Sequence, residues 1–170
     1  MRSSLPLLLL LLASPITCAV SDGGLETSDV IPLVRFLEHE PLSKDAPLVR
    51  KSLIVWEEKN SDVVDVLVCP DLLAPLPDNK IPFNAELIVQ YMFGIMSYQL
   101  AHPSSRRRDD VFPAQIAGIR STLRAYDSIV QNNSKARLDA YDRLLKLDKS
   151  NGLEAYFRPL IKTKCSWQGT

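Results

Sequence analysis

Few residues in this chain can do chemistry. It has two histidines, His39 and His102, and three cysteines, Cys18, Cys69 and Cys165, among 20 acidic and 20 basic side chains. Zinc sites of the common kinds draw four ligands from His and Cys, more than this inventory supplies once a cysteine pair is bridged. His39 lies between Glu38 and Glu40, and His102 precedes Pro103. Both fall at ends of expected helices, where a histidine interacts favourably with the helix dipole, so both have a structural explanation. No HExxH, GxSxG, phosphate-loop or dinucleotide-binding pattern occurs, and calcium-loop spacing is missing. Asp62, Asp65 and Asp71 flank a proline-rich stretch and can pair for acid–base work. The simpler reading puts Asp62 and Asp65 on the outer face of a strand or turn. No catalytic residue, metal or cofactor is assigned.

The cysteines and the first residues bear on compartment. MRSSLPLLLLLLASPITCAV carries one basic residue, Arg2, then an apolar run from Leu5 to Leu12, then small residues around Cys18. This is the layout of a secretory signal peptide, with cleavage expected after Ala19. The run falls short of the ~20 residues of a permanent membrane helix. The rival reading, a lipoprotein anchored at Cys18, is poorly served by Pro15 and Thr17. Export leaves Cys69 and Cys165, which are expected to form a disulfide closing a loop of roughly 100 residues. Without Arg2, 19 basic residues face 20 acidic ones, a net charge of −1. Nucleic acid is not an expected partner, because it selects a basic surface.

These residues must be positioned by helices. A leader over 20–28 precedes one domain, 29–170. Apolar residues at 30, 33, 34 and 37 predict a helix over 29–38. A second is expected over 46–59, capped by Asp45, with Leu48, Val49, Ser52, Leu53 and Trp56 inward. Asn84 is expected to cap a helix over 85–101 that is apolar almost all round and so forms the centre of the domain. Gly94 within it implies close approach by a neighbour. HPSSRRRDD, 102–110, reads as a solvated connector. Further helices are expected over 113–130, 134–147 with Ser134 as cap, and 153–162 with Asn151 and Glu154 as a capping box.

The stretch 61–83 is different. Val63, Val64, Val66 and Val68 admit a short strand. Prolines at 70, 75, 77 and 82 then exclude regular structure. The segment reads as an extended hydrophobic loop pinned by Cys69. Long irregular loops in compact domains are often functional. Its candidate binding surface is Leu72, Leu73, Pro75, Leu76, Pro77, Ile81 and Phe83.

Leu-x-Ala-Tyr occurs three times, at Leu123, Leu138 and Leu153, with a period of 15. Leu and Tyr three apart share a helix face, so each copy is a packing unit. The alternative is a concave array whose tyrosines offer hydroxyls to a peptide. Polar turns and a mid-helix Ala-Tyr resemble tetratricopeptide-type helical pairs. The short period and the lack of that family's Trp, Gly and Pro markers depart from its pattern.

Taken together, the residues predict an all-α, single-domain bundle or short array of about six helices with a proline-rich loop. The expected function is a non-enzymatic protein- or peptide-binding module of the cell envelope or extracellular space. A carboxylate-dependent hydrolase or lyase is the alternative, and a stoichiometric inhibitor or immunity-type protein is the third reading.

Overall fold

The computed structural model describes residues 24–106 and 110–165, with the side chains of residues 105 and 106 left aside. The expected signal peptide, Cys18 and most of the arginine run of the connector lie outside the described residues. Within them the chain is all-helical, with six α-helices and no strand. The helices are α1 (Thr27–His39), α2 (Ala46–Lys59), α3 (Asn84–Ala101), α4 (Phe112–Asn132), α5 (Asp139–Lys149) and α6 (Leu153–Lys164).

α3 is the centre, as its composition requires. One face, with Leu87, Tyr91 and Ile95, joins a core built with α4, α5, α6 and the proline-rich segment. The opposite face, with Phe93 and Met96, joins a second core with Val30, Val34 and Leu37 of α1 and Leu53 and Trp56 of α2. A helix buried on both sides needs apolar residues all round.

Two glycines set how closely α3 and α4 cross. A Cβ on Gly94 would stand 2.5 Å from Ser121 Cβ and 2.8 Å from Gly118 Cα. A Cβ on Gly118 would stand 2.7 Å from the Tyr91 ring and 2.9 Å from the Tyr91 carbonyl oxygen. The backbones occupy the space that any larger residue needs.

A polar cross-link ties α1 to the same crossing. Glu38 is buried, and Arg124 of α4 holds its carboxylate from both sides, Nε to Oε2 at 2.7 Å and Nη2 to Oε1 at 2.6 Å. Ser121 Oγ donates to Oε1 at 2.6 Å, Gln90 Nε2 donates to Ser121 Oγ at 2.9 Å, and Ser128 Oγ donates to the Glu38 carbonyl at 2.7 Å. A buried carboxylate is tolerable only with such partners, so the network fixes the register of α1 on α4.

Several local expectations are corrected. Asp45 and Ser134 make no side-chain cap. Asn84 is the first residue of α3, behind Phe83 at the N-cap, and Asn133 caps the short 3-10 turn Ser134–Ala136 by accepting from the Lys135 N–H. Asn151 and Glu154 form no capping box. Asn151 takes a left-handed conformation (φ 59°) that closes α5, and Glu154 turns to Arg120. Asp110 does the unanticipated capping, accepting from the Phe112 N–H at 3.1 Å. Leu48, read as inward, is 57% exposed.

The three Leu-x-Ala-Tyr copies fall on three helices, but not at equivalent places. Leu123 is mid-α4, Leu138 is the N-cap of α5 and Leu153 opens α6. Tyr126 and Tyr141 are buried with ring centroids 5.3 Å apart, whereas Tyr156 is 57% exposed. The Tyr126 hydroxyl accepts from the Leu138 N–H at 2.8 Å and lies 2.9 Å from Asp142 Oδ1. Burial pushes its pKa up to about 12, against the opposing hydrogen bond from the Leu138 backbone. Tyr141 donates to the Leu73 carbonyl at 3.3 Å. Two of the three hydroxyls are thus engaged inside the domain, and the repeat does not form a tyrosine-lined concave face.

Candidate binding surface

The proline-rich segment is built from its backbone outward. It runs extended over α3 and α4 from Val64 to Cys69, yet pairs with no strand. Side chains of the two helices take the place of a partner strand. Gln99 of α3 accepts from the Asp65 N–H (2.7 Å) and donates to the Asp65 carbonyl (2.7 Å). Gln115 of α4 donates to the Leu67 carbonyl at 2.8 Å. The Tyr91 hydroxyl hydrogen-bonds the Cys69 backbone and donates to Gln115 Oε1. Residues 65, 67 and 69 therefore turn their peptide groups to the helices, the alternation expected of extended chain. Burial raises the Tyr91 pKa, partly offset by the Cys69 backbone bond.

The expected strand is absent because amide side chains satisfy these backbone groups one at a time. Gln99 and Gln115 are functional residues of the strap that sequence reasoning missed. A buried glutamine on a helix facing an extended segment is the signal that could have exposed this role. Gln99→Leu is expected to cost about 2 to 3 kcal/mol, since it removes both hydrogen bonds between Gln99 and the Asp65 backbone. The check is a urea melt, with hydrogen exchange at Asp65 accelerated more than in α4.

Beyond Cys69 the chain makes the 3-10 turn Pro70–Leu73 and packs on α6. Cys69 and Cys165 come to disulfide distance, with Cα atoms 5.7 Å apart. The apolar candidates then divide. Leu72, Leu73 and Leu76 are core residues, which removes them from the candidate surface. Pro75, Ile81 and Phe83 are half-buried, and Pro77 is exposed. Physically, the segment lies so close to the helices that every second or third side chain must point down. The loop behaves as a strap whose outer edge alone meets solvent.

That edge is rigidly set. Lys80 N–H donates to Asp78 Oδ1 at 2.9 Å, and successive turns link Pro75 to Asp78, Asp78 to Ile81 and Ile81 to Asn84. The peptide between Ala74 and Pro75 is cis. Phe83 adopts φ 59°, ψ 23°, directly before α3. A bulky residue in the left-handed region costs about 1 to 2 kcal/mol and persists only where its surroundings impose it. The result is a turn-rich edge of Pro77, Ile81 and Phe83 on a helical platform, suited to contact and carrying no nucleophile–base pair.

Carboxylates converge elsewhere. Arg120 of α4 contacts Asp148 of α5 at 2.9 Å and Glu154 of α6 at 3.3 Å. The Asp148 hydrogen bond, with the two negative charges, raises the Arg120 pKa against the opposing effect of burial. Arg120 thus ties α4 to both α5 and α6 through one acid on each, the arrangement of a helix clamp. Asp62, Asp65 and Asp71 are not part of this cluster, and no group of acids, histidines and cysteines among the described residues is arranged to hold a metal ion. No described helix is long and apolar enough to cross a membrane. No family model matches the chain, and neither a curated protein nor a solved structure does.

Proposed function

We propose that the protein is a non-enzymatic binding module that acts after export, recognising a protein or extended peptide through the outer edge of the strap. The observation that carries this reading is Phe83, a half-buried aromatic held in a left-handed conformation between Ile81 and the start of α3. Unfavourable backbone kept in place beside half-buried Ile81 and exposed Pro77 is more typical of contact sites than of plain loops. The disulfide-distance cysteine pair supports an oxidising compartment. The same scaffold also suits the tight stoichiometric binding of an inhibitor or immunity-type protein, though only by analogy of architecture.

The test compares capture from the native envelope or secreted fraction by the wild type and by Ile81→Asp and Phe83→Asn. One near-stoichiometric polypeptide retained by the wild type is expected to be lost by at least tenfold in both variants, at melting temperatures within a few degrees. Equal capture by all three proteins would place the contact elsewhere. The carboxylate hydrolase or lyase reading has one favouring observation, the convergence of Asp148 and Glu154. It predicts that Asp148→Asn and Glu154→Gln abolish turnover while leaving capture intact.

A further inference from the structure

One pattern in the chain has no part in the strap or the core. Asn132-Asn133-Ser134 has the form Asn-x-Ser, the acceptor of N-linked oligosaccharides. No other asparagine of the chain has Ser or Thr two positions on, so at most one such glycan is coded. A three-residue match is weak by itself, and its place in the fold decides whether a sugar can be carried there.

Asn132 is the last residue of α4. Ile129 and Val130, just before it, are buried, whereas Gln131, Asn132, Ser134 and Lys135 are all exposed. The chain leaves helical geometry at Asn133 (φ −145°, ψ 89°), and the 3-10 turn Ser134–Ala136 follows. A bulky group on Asn132 therefore meets water, where the same group two or three residues earlier would split the core. The Asn132 carboxamide donates from Nδ2 to the Ser128 carbonyl at 3.0 Å. A carboxamide nitrogen carries two hydrogens. Glycosylation removes one and leaves the other for Ser128, so the sugar displaces neither a packed side chain nor this hydrogen bond.

We propose that Asn132 is an N-glycosylation site and carries the single N-linked oligosaccharide of the exported protein. The proposal rests on the export reading above and adds to it a compartment in which oligosaccharides are transferred to protein. The donor is an oligosaccharide joined through C1 to a lipid diphosphate. The bond from Asn132 Nδ2 to C1 forms, the bond from C1 to the diphosphate oxygen breaks, its electron pair leaves with the lipid diphosphate, and one amide proton is released. Ser134 supplies the hydroxyl that defines the acceptor. The product sets a bulky, hydrated group at the end of α4.

The test uses the full-length chain, tagged and expressed in its own cells. Protein from the secreted or envelope fraction is weighed intact, before and after an amidase that releases N-linked glycans. The wild type is expected to lose about 1 to 3 kDa on digestion, with Asn132 alone converted to aspartate. Asn132→Gln and Ser134→Ala are expected to lower occupancy about tenfold or more, and Ser134→Thr to retain it. Exported, disulfide-linked protein whose Asn132 is unmodified overturns the proposal and leaves the export reading standing. A chain kept in the cytosol with Cys69 and Cys165 reduced overturns both. A sugar that persists in Asn132→Gln and Ser134→Ala lies elsewhere and overturns the proposal too. Asn132 and Ser134 are exposed, so the variants are expected to fold as the wild type does, and circular dichroism checks that.

Discussion

Replacing Cys69 and Cys165 together by alanine is expected to lower stability by about 2 to 4 kcal/mol. The two residues are 96 positions apart, and both are buried. A cross-link over such a loop restricts mainly the unfolded chain, with a chain-entropy ceiling of about 4 to 5 kcal/mol. For a domain of this size the change amounts to roughly 10 °C in melting temperature. The loss should also have an address. Cys69 ends the segment held by Gln99, Gln115 and Tyr91, and Cys165 follows the last turn of α6. Without the link, α6 and the 3-10 turn at Pro70–Leu73 should exchange amide protons faster, while α3 and α4 keep their protection until global unfolding. The measurement is a urea titration of both proteins, with thiols counted in the denatured, unreduced wild type. Two reactive thiols there, or an unchanged midpoint, would sink the expectation.

Gly94→Ala is expected to destabilise by about 2 to 3 kcal/mol, against the helix-propensity gain of about 1 kcal/mol that the substitution brings in an open helix. The added methyl meets Ser121 Cβ at 2.5 Å, Gly118 Cα at 2.8 Å and the Ala117 carbonyl oxygen at 2.9 Å. Two of those atoms are backbone and cannot rotate away. Relief requires α3 and α4 to separate, which stretches the Gln90–Ser121–Glu38 hydrogen-bond chain at the same crossing. Gly118→Ala meets the Tyr91 ring and carbonyl and should behave alike. The two changes relieve each other when the helices part, so the double variant should cost less than the sum of the single ones. Thermal melts of the three variants decide the matter. A stabilised Gly94→Ala would show that propensity outweighs the crossing.

The elements were largely legible along the chain. Apolar spacing at 30, 33, 34 and 37, the bracketing prolines at 41, 47, 82 and 113, and the all-round apolar run of 85–101 are local signals. They gave six helices, with ends displaced by a few residues. The caps were less legible. Asp45 and Asn84 stand at the right boundaries, whereas α5 starts at Asp139, beyond Ser134; the side chain that closes each end depends on where the preceding loop arrives. Asp110 and Asn133 do that work at α4 and at the 3-10 turn.

The candidate surface was legible only as a region. Leu72 and Pro77 look alike in a run of apolar residues, and no period of two or 3.6 survives four prolines to separate them. Likewise Tyr126 and Tyr156 occupy the same place in the same four-residue pattern, but α6 is rotated so that its copy faces water. The roles of Gln90, Gln99 and Gln115 show only once the strap and α1 are laid against their helices. What the sequence by itself determined, then, was the number of helices, which of them lies at the centre, the close approach at Gly94 and the pairing of Cys69 with Cys165. Each follows from residues near in sequence or, for the cysteines, from the two that the expected cleavage after Ala19 leaves. Only the tertiary structure decided which side of the strap is core, which tyrosine is exposed, which acids converge on Arg120 and which face of α2 is left uncovered. Those depend on helix rotation and on contacts between residues far apart in the chain, 86 positions for Glu38 with Arg124 and 90 for Glu38 with Ser128. Local propensity carries no information about them.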